Sequence, residues 1–125
     1  MRCAGLAALL LTVGCHSKTP PPATSQDVEA AQEEAQRQIA QARLEAAKDV
    51  KSAAKIAGSN SRDVAYARMT AAYDLAMVTA ESQHTVTLEH CKTLQPALVQ
   101  ACNDHADADY ESAKAKAKAA RTTQQ

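Results

Sequence analysis

Cys91-Lys-Thr-Leu-Gln-Pro96-Ala-Leu-Val-Gln-Ala-Cys102 is the stretch that decides the fold. Proline is tolerated in the first turn of a helix but not inside one. Pro96 therefore ends what precedes it, marks a turn at Lys92–Gln95 and starts a new helix. Upstream, Tyr66, Met69, Tyr73, Met77, Ala80, His84, Leu88 and Cys91 step by three and four, the mark of one face of a long helix. Val64, Leu75, Val78 and Val86 widen that face. Downstream, Val99, Cys102, Ala106, Tyr110, Ala113 and Ala117 form a matching stripe. Both cysteines lie on apolar stripes, five residues before Pro96 and six after it. Folded back as an antiparallel hairpin, the two helices set Cys91 against Cys102 and His84 near Asp109 or Tyr110.

Toward the N-terminus the chain becomes periodic with a period of eleven. Val28, Ile39 and Val50 occupy the first place of three successive segments, Ala31, Ala42 and Ala53 the fourth, and Ala35, Ala46 and Ala57 the eighth. Eleven residues in three turns is about 3.67 per turn, close to a straight α-helix, so the stripe stays on one face. Ser25 or Asp27 can cap the start, and Gly58 suits the left-handed position past the end. Asp27, Glu29, Glu33 and Glu34 lead while Lys48, Lys51 and Lys55 trail, which complements the helix dipole. Folding this helix back about Gly58–Asn60 brings Val28 close to the cysteines.

The expected fold is all-α: an up-down-up three-helix bundle over residues 26–121, with helices near 27–57, 61–93 and 96–120 and a disordered tail at 122–125. The alternative is a disulfide-braced helical hairpin whose N-terminal helix extends freely or pairs with another molecule. Composition agrees with a helical class and with a thin core. The chain of 125 residues has no Trp or Phe, three Tyr, three Gly and four Pro. Alanine, the best helix former, supplies most of the apolar fraction but buries little area. Fourteen basic side chains balance fourteen acidic ones, so overall charge does not argue for a nucleic-acid partner.

The first fifteen residues read as a leader. Arg2 precedes an apolar run from Ala4 to Val13. A helix of about ten residues covers roughly 15 Å, half of the hydrocarbon core, too short to span and right for a secretory signal. Its ending, Thr12-Val13-Gly14-Cys15, resembles the lipobox of bacterial lipoproteins, with Thr12 where that family usually has Leu. The resemblance implies cleavage after Gly14 and lipid on Cys15. With His16 following, it implies retention at the periplasmic face of the outer membrane. His16–Ser25, containing Pro20, Pro21 and Pro22, then reads as an extended tether.

On that reading Cys3 leaves with the signal and Cys15 carries lipid, so Cys91 and Cys102 remain to pair with each other in an oxidising compartment. Three readings stand for this pair: a structural disulfide, a redox couple or a metal site. A redox couple usually has two intervening residues at a helix start, whereas ten intervene here. A metal site would draw on Cys102, His105 and His84, and zinc needs about four such ligands. Asp104, Asp107, Asp109 and Glu111 lie early in the third helix, with Lys114, Lys116, Lys118 and Arg121 late. Their order reads as dipole complementarity, and the loop spacing of a calcium site is lacking. The sequence contains no Gly-rich phosphate loop, nucleophile elbow or His-Glu-x-x-His.

The stretch Ala72-Tyr-Asp-Leu-Ala, Glu89-His-Cys91-Lys-Thr-Leu, Ala101-Cys102 and Ala106-Asp-Ala-Asp-Tyr110 resembles small alanine-rich, two-cysteine exported proteins of proteobacteria. The resemblance covers residues 60–120. It implies the disulfided hairpin and adds no catalytic residue. Here Gln95-Pro96 occupies the turn where those proteins often carry Gly. A chain ending Thr-Thr-Gln-Gln also lacks the terminal lysine by which the major murein lipoprotein is attached. The expectation is a non-enzymatic envelope lipoprotein without cofactor or nucleic-acid partner, acting as a helical spacer or protein-binding module on an unknown envelope partner. The competing expectation is a small periplasmic inhibitor or a ligand- or metal-binding protein.

Overall fold

The computed structural model describes residues 23–58 and 61–122. The expected signal, the expected lipid-bearing Cys15 and most of the expected tether lie outside these residues, as do residues 123–125. The described residues form three helices, α1 (Ser25–Ala57), α2 (Ser61–Cys91) and α3 (Pro96–Thr122), antiparallel in succession. None of them is long and apolar enough to cross a membrane.

Each end has a local cause. Thr24, not Ser25 or Asp27, is the N-cap of α1. Asp27 instead accepts from the Thr24 backbone N–H at 2.7 Å while the Thr24 hydroxyl accepts from the Asp27 N–H, a reciprocal box that satisfies two otherwise orphaned donors. The Thr24 backbone N–H foremost, and then the Thr24 hydroxyl, which donates to Asp27 Oδ2 at 2.8 Å, hold the Asp27 carboxyl below its ordinary range. Gly58 ends the helix at φ +58°, a conformation that side chains rarely adopt. α2 stops at Cys91, two residues earlier than expected. Thr93 N–H then bonds the His90 carbonyl and Leu94 N–H the Cys91 carbonyl, closing the turn before Pro96. α3 runs on through Thr122, which corrects the expected disorder there. The Thr122 hydroxyl donates back to the Ala119 carbonyl.

The eleven-residue stripe on α1 is realised in full. Val28, Ala31, Ala35, Ile39, Ala42, Ala46, Val50, Ala53 and Ala57 are shielded, and every other residue of that helix is exposed. α2 carries two such stripes. Met69, Tyr73, Met77, Ala80, His84, Leu88 and Cys91 serve α3, whereas Tyr66, expected among them, is exposed. Val64, Ala67, Ala71, Leu75, Val78, Ser82, Val86 and Glu89 form a separate 3-4-4 series on the opposite side and serve α1. α3 repeats the spacing with Val99, Cys102, Ala106, Tyr110, Ala113, Ala117 and Arg121. All three helices thus share one period. A period of eleven keeps such ridges aligned without the left-handed winding that heptads impose.

α2 is consequently the middle of an open bundle. α1 packs on one side of it and α3 on the other, and no Cα of α1 comes within 8 Å of one in α3. The free-helix alternative is thereby excluded, because α1 is docked along α2. Register follows from contacts: Ser82 meets Gln38 across α1 and α2, and Tyr73 meets Arg121 across α2 and α3. The core is largely alanine, with Ala35, Ala71, Ala80, Ala106 and Ala117 buried. A buried methyl contributes about 0.8 kcal/mol, against about 1.5–3 for a large aliphatic side chain. Such packing is close but gives little stability per residue.

Candidate functional site: the groove beside His84

Where the three helices run past one another in the half nearer the cysteines, they leave a groove of about 450 Å³. α1 contributes Gln32, Ala35, Gln36 and Ile39, α2 contributes Gln83, His84 and Thr87, and α3 contributes Asp109 and Tyr110. The groove exists because α1 and α3 never close on each other. Its floor is small, since Ala80 and Ala106 come from the stripes.

One wall is a stack. The His84 ring lies nearly parallel to Tyr110, with centroids 4.7 Å apart and planes inclined by 10°. His84 Nε2 is 2.6 Å from Asp107 Oδ1, so the imidazole donates to the carboxylate and its orientation is fixed. The Lys114 ammonium also sits over Tyr110, 4.3 Å from the ring centroid. Its hydrogen bond to Glu111 raises the Lys114 pKa above the usual lysine value and keeps it charged. Asp107, His84, Tyr110 and Lys114 form a continuous interlock between α2 and α3. The neighbour of His84 is Tyr110, one of the two expected; Asp107 takes the place of Asp109, which pairs at 3.6 Å with His105 on its own helix. Rotation along the helix explains the exchange: positions 107 and 109 lie about 160° apart around α3, Asp109 on the groove side and Asp107 on the side that His84 Nε2 reaches.

Cys91 and Cys102 are joined by a disulfide, with Cα atoms 5.6 Å apart, and Cys91 is completely buried. The separation is within the ordinary range for such bonds. The alternative metal set therefore does not assemble. Cys102 sulfur is bonded to Cys91, His84 is engaged by Asp107, and His105 is 80% exposed and turned to Asp109. Among the described residues no group of three or more His, Cys, Asp or Glu is placed to hold a metal ion. A redox couple of closely spaced cysteines at a helix start is not what the geometry presents either, since Cys91 ends one helix and Cys102 lies inside the next.

Chemically, the groove offers amide donors and acceptors from Gln32, Gln36 and Gln83, a hydroxyl from Thr87, the carboxylate of Asp109 and an aromatic edge. Sequence reading passed over the three glutamines. The available signal was their position: each borders a shielded stripe, so each lies on the rim of an interhelical seam. Two further concavities lie along the same side of α2. One, of about 480 Å³, is bounded by Val50, Lys51 and Arg68; the other, of about 70 Å³, by Met69 and Ala117. Both are lined by Ala72. The chain matches no family model, no curated protein and no solved structure.

Proposed function

We propose that this protein is a non-enzymatic lipoprotein of the bacterial envelope, anchored through Cys15, whose three-helix body is a binding module for another envelope protein. The supporting observation is the open side of α2. It offers a run of concavities from Thr87 to Arg68, lined by alanines and capable of hydrogen bonding at the glutamine-rich end. Small side chains let a partner backbone approach closely, while the amides supply direction. A stretch of about 20 residues along α2 is on the order of 30 Å, the length of a partner helix of similar size. The anchoring half of this reading rests on Thr12-Val13-Gly14-Cys15 and its resemblance to the lipobox.

Two experiments test the two halves separately. Cys15→Ser should move the protein from the membrane fraction to the soluble periplasm, and unchanged membrane retention overturns the anchor. A photocrosslinking residue at Gln83 in living cells should give a discrete adduct that Gln36→Trp, which fills the groove, abolishes. An adduct indifferent to Gln36→Trp, or none at all, overturns the binding role of the groove.

A further inference from the structure

The edge of α1 that faces away from α2 carries Leu44, which is 73% exposed. Glu33 lies eleven residues before it and Lys55 eleven after it, both exposed. At three turns per eleven residues these three side chains fall on one line along the helix. They lie opposite the stripe that packs on α2. Charge around this line is divided. Asp27, Glu29, Glu33 and Glu34 occupy the first half, where Arg37 is tied to Glu34. Arg43, Lys48, Lys51 and Lys55 outnumber Glu45 and Asp49 in the second. Complementing the helix dipole accounts for charges in the terminal turns only, and Glu33, Glu34 and Lys48 lie beyond them.

We propose that this edge binds a second copy of the chain, antiparallel, about a two-fold axis at Leu44, so that Glu33 of each copy faces Lys55 of the other. A reversed copy sets Glu33 and Glu34 of one edge along the basic half of its mate, with Asp27 and Glu29 beyond the overlap. A copy in the same direction sets like against like. The symmetry operation that maps Leu44 onto its counterpart also maps Glu33 onto Lys55, because the two are equally spaced from it. The contact is self-complementary and closes at two subunits. Ala40 and Ala47 flank Leu44 and leave room for close approach.

With the axis at Leu44, residues 31–57 of the two copies overlap, about 40 Å of helix, and a contact strip about 10 Å wide gives on the order of 400 Å² per copy. That makes roughly 800 Å² in total, short of a stable interface and the size of a weak, transient one. The dimer is therefore reversible. Its exposed ion pairs are screened by salt.

Sedimentation velocity of the full chain in mild detergent tests this. A dimer should grow with protein concentration and recede at high salt. Glu33→Lys and Lys55→Glu should each weaken it by roughly tenfold, and the two together should restore it, since the pair is then reversed on both sides. All these positions are exposed, so helicity should be unchanged in circular dichroism. Leu44→Gln, with no charge altered, should also weaken the dimer. A monomer at every concentration overturns the proposal. So does association indifferent to the single reversals, which is how micelle sharing would behave, and so does failure of the double reversal to restore it.

Discussion

The Ser82 hydroxyl donates to Gln38 Oε1 at 3.0 Å across the seam between α1 and α2, and Ser82 is only 2% exposed. Position 82 lies eleven residues after Ala71, in the same place of the repeat, so the site is shaped for a side chain of alanine size. Gln38 is itself exposed and can turn to water.

Ser82→Ala should therefore change stability by less than about 1 kcal/mol, because no partner is stranded. Ser82→Leu should cost about 1–3 kcal/mol by overfilling the seam. Thermal melts followed by circular dichroism measure both.

Cys91→Ala should lower stability by about 2–4 kcal/mol, since the crosslink closes a short loop and removes unfolded-state freedom. Helix content at low temperature should persist, because the stripes of α2 and α3 remain. An unaltered melting curve would show that the bond braces nothing.

Thr70 has a buried hydroxyl with no hydrogen-bond partner. Thr70→Val removes that polar atom at nearly constant volume and should raise stability by about 1 kcal/mol. A decrease in the melting midpoint would mean that the hydroxyl is satisfied in solution.

The Thr24–Asp27 box should respond to acid. Its carboxyl is held below the ordinary value in the folded chain, chiefly by the Thr24 backbone N–H. The stabilisation is complete above the unfolded-state pKa and is lost as pH falls through the lower folded one. Amide exchange in the first turn of α1 should accelerate over that acid window, and Asp27→Ala should abolish the pH dependence.

Much of this architecture could be read from the residues. The period of eleven in Val28, Ile39 and Val50 identified the buried face of α1 completely, because that helix has a single neighbour and a single direction of burial. α2 was harder for the converse reason. Covered on two opposite sides, it shows no single apolar direction, so Val64, Leu75, Val78 and Val86 read as a broadening of the α3 stripe when they belong to the α1 stripe. Tyr66 continues the spacing of Met77 and Leu88 but lies exposed near the start of α2. The cysteine pair was legible from its near symmetry about Pro96. The groove was not, because it results from α1 and α3 failing to meet, and a gap between distant segments leaves no periodic trace.

That failure to meet has a mechanical consequence. Two seams flank one central rod, and only the seam with α3 is riveted by sulfur. Load applied to the N-terminal segment is borne by the unriveted seam alone, which therefore yields first. α1 can peel away while the stapled pair keeps its shape, uncovering on α2 a regularly spaced strip of valine and leucine that another helix could occupy.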